Sequence, residues 1–235
     1  MSPGTVLVTG GASGLGAAVA SAVAAAGGRP VVLDRVPCDP AGRWGDGREV
    51  EQQTVDLADT RAAEAAVREV SARVGGLDAV VTCAGTDACG RLDDVPGEDW
   101  DRVVMVNLLG TVAVVRAAMP DLLERRGRVV TVASTLGLRA LSDATAYCAS
   151  KFGVVGFTRA LAAETQGRMG VTMLVPGGMH TAFFDGRDAQ YLPPPDAKLN
   201  QPGDVAQAVM FALSQPPGCE VRELVVTPAV EGSWP

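Results

Sequence analysis

Val6-Leu7-Val8-Thr9-Gly10-Gly11-Ala12-Ser13-Gly14-Leu15-Gly16 is the stretch on which the fold turns. A β-branched and apolar run ends in a glycine-rich turn. A helical pattern follows, with Leu15, Val19, Ala22, Val23 and Ala26 on one face and Gly27-Gly28 as its stop. Val31-Val32-Leu33-Asp34 reads as the next strand. Strand, glycine turn, helix and strand make a βαβ unit, which in an open parallel sheet binds its ligand at the strand ends. Gly10 permits the tight turn, while Gly14 and Gly16 let backbone amides and the helix N-terminus approach a pyrophosphate. Asp34 closes the second strand, where a carboxylate accepts both hydroxyls of an adenine ribose and repels a 2′-phosphate. That favours NAD over NADP. Arg35 follows immediately and could swing toward a phosphate, while Ser13 adds no positive charge.

Outward from this unit the pattern repeats. Residues 36–49 carry Pro37, Pro40 and glycines and read as an irregular loop, with Trp44 as a loop anchor or a neighbour of the adenine. A short strand around Thr54-Val55 leads to Asp56-Leu57, and helical spacing recurs from Ala62 to Val74 with Gly75-Gly76 as the stop. Leu77 to Thr82 reads as a fourth strand, followed by Cys83-Ala84-Gly85. Pro96 opens a long helical stretch to Met119, with Gly110 and Pro120 as weak points. Asn107 inside it is a buried amide that needs partners, read equally as a satisfied bend or as a water-binding group. Arg128 to Ser134 is a fifth strand that delivers a hydroxyl at its carboxyl end, and Val171 to Val175 is a sixth, ending in Pro176-Gly177-Gly178-Met179-His180-Thr181. From Ala182 to Gln201 the periodicity dissolves into an apolar, partly aromatic loop of the kind that covers a substrate. Arg187 and Lys198 stand in it, available to an anionic group if they turn inward. A last helix through Val205, Val209 and Leu213 and a last strand from Glu223 to Thr227 follow. These elements predict a single α/β domain over residues 1–235, a doubly wound parallel sheet of about seven strands with helices on both faces.

Tyr147-Cys148-Ala149-Ser150-Lys151 begins a helical segment that runs to about Glu164 and places Tyr147 and Lys151 one turn apart on one face. A free tyrosine titrates near pH 10. A cation about 4 Å away, at an effective dielectric of about 20, favours the phenolate by roughly 4 kcal/mol, or about three pKa units. The expectation is a phenol tuned toward working pH as a general acid/base.

Composition narrows the classes. A chain of 235 residues with 47% apolar residues is long enough for a sizeable core. No uninterrupted apolar run is long enough for a membrane span. The N-terminal residues lack the organisation of a signal peptide. Five cysteines stand without metal-type spacing, so reduced thiols in a cytoplasm are expected. His180 is the only histidine, which excludes a multi-histidine metal site and argues against a Ser-His-Asp triad; no metal is expected. The net charge of −7 argues against nucleic acid and anionic membrane surfaces as partners.

The chain resembles the short-chain dehydrogenases/reductases over nearly its full length. Thr9 to Gly16 looks like that family's TGxxxGxG turn, Tyr147 to Lys151 like its YxxxK, and Ser134 and Asn107 fall at its serine and asparagine positions. Pro176-Gly177 with Thr181 resembles the segment at the nicotinamide end. The resemblance implies that Tyr147 exchanges a proton with the substrate oxygen while Lys151 lowers its pKa and holds the nicotinamide ribose. It further implies that Ser134 bonds the same oxygen and Asn107 keeps a water in a relay through Lys151. It extends the cofactor contacts to Ser13, Leu15, Arg35, Asp56, Leu57, Cys83, Ala84, Gly85 and Met179, and implies a homodimer or homotetramer. Two departures stand out. The family's NNAG reads Thr82-Cys83-Ala84-Gly85 here, and the C-terminal end lacks a glycine-rich close, which puts the usual tetramer interface in question.

The leading expectation is an NAD(H)-dependent oxidoreductase interconverting a secondary alcohol and a ketone. An NADPH-dependent 3-oxoacyl reductase acting on a carrier- or CoA-bound chain is the alternative, opposed by Asp34 and the acidic surface. A dinucleotide-binding regulatory protein without turnover is the third.

Overall fold

Parallel pairing sets seven strands in the order β3-β2-β1-β4-β5-β6-β7 in the computed structural model, which describes residues 2–38 and 50–234. The strands are β1 (Thr5–Thr9), β2 (Arg29–Asp34), β3 (Glu51–Thr54), β4 (Ala79–Thr82), β5 (Arg128–Val132), β6 (Gly170–Pro176) and β7 (Glu223–Val226). The strand order reverses between β1 and β4, and that crevice is where an open α/β sheet takes a ligand. The loop reading for residues 36–49, Trp44 included, falls for the most part outside the described residues.

Alternation along each strand divides the core. Val6 and Val8 of β1 face α1 (Gly14–Ala25) and α6 (Pro202–Leu213), while Leu7 faces α2 (Thr60–Val74) and α4 (Thr111–Arg125). A third cluster joins Val154 and Val155 of α5 (Thr145–Glu164) to Met173 and Val175 of β6. Each such fully buried side chain contributes about 1.5–3 kcal/mol relative to exposure. The boundaries of α2 follow local chemistry. Asp59 accepts hydrogen bonds from the amides of Arg61 and Ala62, and Gly75 ends the helix at φ 80°.

The helix opened by Pro96 differs from the sequence expectation at both weak points. Pro96 is the N-cap of α3 (Gly97–Val104), and Met105–Gly110 then forms a π-helical turn that leads straight into α4. Gly110 allows that turn to press on α2's approach, because a Cβ there would sit 2.8 Å from the backbone oxygen of Leu57. Pro120 does not end the helix. It lies on the solvent face, as does Arg116 one turn earlier, so the carbonyl that loses its donor is open to water. By length and composition the whole Gly97–Arg125 stretch could cross a membrane. Half of its apolar window is buried, and Ala113, Val114, Ala118 and Leu122 belong to the core against the sheet.

Candidate active site

The glycine turn is built by contacts that exclude side chains. Gly10 has φ +67°, and a Cβ on it would lie 2.7 Å from the Cα of Ala84. A Cβ on Gly16 would lie 2.1 Å from the carbonyl oxygen of Gly10. The turn is tied across the crevice, since the Ala84 amide donates to Thr9 Oγ1 at 3.1 Å. Helix α1 begins after Ser13 with no side-chain cap and no acidic residue in its first turn. Its free amides and positive end are therefore open toward an anion. Asp34 stands beside this turn, where its carboxylate accepts from the amides of Ala12 (3.0 Å) and Val36 (3.2 Å). These residues fit a dinucleotide: amides for a pyrophosphate and a carboxylate for a ribose.

The other expected contacts are distributed around the same strand ends. Arg35 is exposed. Asp56 pairs with Arg102 at 2.9 Å, and Leu57 and Leu15 are buried. Cys83 is held up to about 12 by burial, so its thiol is inert near neutral pH. Thr82, at the position of the missing asparagine, is buried and its Oγ1 has no hydrogen-bond partner among the described residues. Thr181 packs against Gly14 and bonds Phe183, which brings the segment from Pro176 and Gly177 through Met179 across to the glycine turn.

Around Tyr147 the four catalytic candidates converge. Asn107, within the π-helical turn, is buried and fully engaged. Its Oδ1 accepts from the Thr86 amide (2.8 Å), and its Nδ2 donates to Thr86 O (2.9 Å) and Ser150 Oγ (3.0 Å). This is the satisfied bend, and it fixes the loop after β4 to the helix that carries Tyr147. Ser134 follows β5, accepts from the Leu136 amide and hydrogen-bonds Tyr147. Lys151 is 4% exposed and donates from Nζ to Val132 O at 2.8 Å. A Cβ on Gly85 would make ordinary contacts with Asn107 Oδ1 (3.6 Å) and Lys151 Nζ (3.9 Å), which places the end of the loop after β4 beside both residues.

The electrostatics depart from the sequence expectation. Tyr147 is half-buried, with its ring 5.6 Å from that of Phe183 and with Lys151 Nζ 5.6 Å from its centroid. Burial pushes its phenol up to about 12, against the lowering effect of Ser134. Burial also lowers Lys151 to about 8. Desolvation therefore sets the direction of the shift, with Ser134 and Arg187 as the lowering partners in place of the expected Lys151, and in the chain alone the phenol holds its proton at neutral pH.

Two groups of neighbours adjoin the cluster, Arg187 with its partner Asp87 and the chain's last residues, and of these the sequence pointed to Arg187. Arg187 turns inward but is taken: its Nη2 lies 3.0 Å from Asp87 Oδ2. At the chain's end Glu231 accepts from the Gly178 amide (3.0 Å), and Ser233 shares a 2.7 Å hydrogen bond with Thr135. The C-terminal residues thus fold back on the turn after Ser134 and on the segment after Pro176.

An open parallel sheet with an uncapped glycine turn at its switch point, facing a Ser-Tyr-Lys cluster, defines a dinucleotide-dependent oxidoreductase. Comparison agrees. The short chain dehydrogenase model matches residues 4–191, and the chain belongs to that family, whose members act on alcohol- or ketone-type substrates. It is 32% identical to the L-fucose dehydrogenase of Mus musculus, over 96% of this chain and 88% of that protein. It is 35% identical to the D-threitol dehydrogenase of Mycolicibacterium smegmatis, over 88% and 85%. A short chain dehydrogenase from Burkholderia cenocepacia, solved in complex with NADP, superposes with a TM-score of 0.84 at 31% identity, covering 96% of each chain.

Proposed function

We propose that this chain interconverts a secondary alcohol and a ketone with NAD(H), using Tyr147 as the proton carrier. The observation that carries this reading is the convergence of Ser134, Tyr147, Lys151 and Asn107 beside the glycine turn. The nicotinamide, when bound, supplies or accepts the hydride. The residues do the rest. Ser134 and Tyr147 present hydroxyls to the substrate oxygen, where charge develops. Tyr147 keeps its proton at neutral pH, the form needed to protonate a carbonyl oxygen, and oxidation of an alcohol is favoured as the pH rises. Lys151, held by Val132 O, places a cation near the phenol and the ribose. Asn107 holds Thr86 and Ser150 in place beside Tyr147 and Lys151.

Replacing Tyr147 with Phe removes the proton carrier, with an expected loss of at least about 10²-fold in turnover. NADH titration of the same variant should show binding little changed. A near-normal rate would sink the assignment.

Asp34 supports NAD over NADP, since a 2′-phosphate at the strand end would meet its carboxylate. The dehydrogenase from Burkholderia cenocepacia, solved with NADP, keeps the other cofactor in play, as does the exposed Arg35. Initial rates with NADH and NADPH at equal concentration decide; NADH should win, and Asp34→Ala should narrow the difference. The exposed Leu109 and Phe152 on neighbouring helices support a homo-oligomer, to be measured by light scattering.

A further inference from the structure

We propose that Asp87 selects substrate charge by occupying the guanidinium of Arg187, so that the cleft takes neutral hydroxylated substrates and excludes those carrying a carboxylate near the reacting carbon. This rests on the alcohol–ketone reading of the same site.

Arg187 is well placed to be a carboxylate receptor. It lies in the loop between β6 and α6, with its guanidinium 4.7 Å from the rings of both Phe183 and Phe184, and its side chain is 15% exposed. Phe183 in turn packs on Tyr147. An apolar, aromatic bed raises the cost of leaving such a cation unpaired. Asp87 supplies the partner charge, and its side chain is only 9% exposed. Phe183 lies between Arg187 and Tyr147, 5.6 Å from the Tyr147 ring and 4.7 Å from the Arg187 guanidinium, so the ion pair is one ring removed from Tyr147.

Asp87 is fixed rather than recruited. The preceding Thr86 is held twice by Asn107, and Gly90 donates to Asp143 O at 2.8 Å, which anchors the loop on both sides. The carboxylate itself accepts from the Ala88 amide (2.8 Å) and Cys89 Sγ (3.2 Å). The ion pair is close but poorly aimed: Arg187 Nη2 is buried and makes no hydrogen bond among the described residues. A better directed carboxylate would satisfy that nitrogen, but only by displacing Asp87, which would then be buried opposite a second anion.

The adjoining cavity, about 530 Å³, has the same sign. Asp87, Asp94, Asp99 and Asp188 line it, and its one lining cation, Arg102, is committed to Asp56. An anion entering this cavity meets repulsion up to the Asp87 carboxylate, whereas a hydroxylated neutral molecule meets hydrogen-bond acceptors.

The test compares 1,3-butanediol with 3-hydroxybutyrate, which share the same secondary alcohol and differ in carrying a hydroxymethyl group or a carboxylate at the far carbon, in wild type, Asp87→Asn and Arg187→Gln with saturating cofactor. The ratio of kcat/KM for acid over diol should rise by about tenfold or more in Asp87→Asn, corresponding to about 1.4 kcal/mol, and fall in Arg187→Gln. A second arm needs no turnover: acetate, against chloride at equal ionic strength, should raise the melting temperature of Asp87→Asn and leave wild type and Arg187→Gln unmoved. A folded Asp87→Asn with an unchanged ratio and no acetate effect overturns the proposal, as does a wild type that prefers the acid. If Asp87→Asn does not fold, an unchanged ratio in Arg187→Gln overturns it equally. Absence of turnover of both alcohols by wild type speaks against the alcohol–ketone reading instead, and the acetate arm still reports whether Arg187 is a masked carboxylate seat.

Discussion

Replacing Lys151 with methionine should abolish turnover and, at neutral pH, leave the fold as stable as wild type or more so. The lysine is 4% exposed, and its pKa falls from the ordinary 10.5 to about 8 because burial disfavours the cation. A displacement of that size corresponds to about 3 kcal/mol at 1.36 kcal/mol per pKa unit. The sign follows from proton counting. Between about pH 8 and 10.5 the unfolded chain keeps a proton that the folded chain has released, so wild-type stability rises with pH across that window. This contribution is complete above 10.5 and is lost as the pH falls through about 8. Methionine has similar length and no proton to bind. It also removes the 2.8 Å bond to Val132 O, at a cost of about 1–3 kcal/mol that does not depend on pH. The stability of Lys151→Met relative to wild type should therefore fall by about 3 kcal/mol between pH 7 and 10.5. Urea unfolding of both proteins at pH 7, 9 and 10.5, followed by circular dichroism with equal m-values, reads this directly. A difference that stays constant over that range would refute the reasoning, because Lys151 would then be solvated or charge-paired in the folded state.

Two further substitutions probe the crevice. Thr82→Val removes a buried hydroxyl that has no partner among the described residues, and should raise the melting temperature by a few degrees, or about 1 kcal/mol; a loss of stability in a thermal melt would show that the hydroxyl is used. Gly16→Ala forces a methyl to 2.1 Å from a backbone oxygen and should weaken NADH binding by at least about tenfold with a loss of about 2 kcal/mol or more, while Gly203→Ala, where nothing beyond its own helix backbone lies within 4 Å among the described residues, should be harmless by the same fluorescence titration and melt.

What could be read in advance was what is local. The order of strand, glycine turn and helix depends on residues adjacent in the chain, and strands such as Val6–Val8 and Val31–Leu33 are apolar on both faces because both faces are covered. The exits of α1 and α2 are marked by glycines in the left-handed region. Long-range packing was silent. Nothing near Asn107 signals a π-helical turn, since the turn is stabilised by its bonds to Thr86 and Ser150 and by the close approach of Leu57 to Gly110. Pro120 argued for a break that the solvent exposure of Arg116 made unnecessary.

The proposed catalytic cluster shows the same division in its energetics. The Tyr147–Lys151 spacing correctly put two groups on one helix face, because that is a property of 3.6 residues per turn. It did not give the sign of the net shift on Tyr147, because desolvation depends on Phe183 arriving from a distant loop. Arg187 is the sharper case. As a residue in an apolar loop it suggested a receptor for anions; folded, it is sandwiched by Phe183 and Phe184 and already neutralised by Asp87. The charge of a side chain is written in the sequence, but the charge of a site depends on which side chains share its burial, and here that reverses the preference the arginine alone would confer.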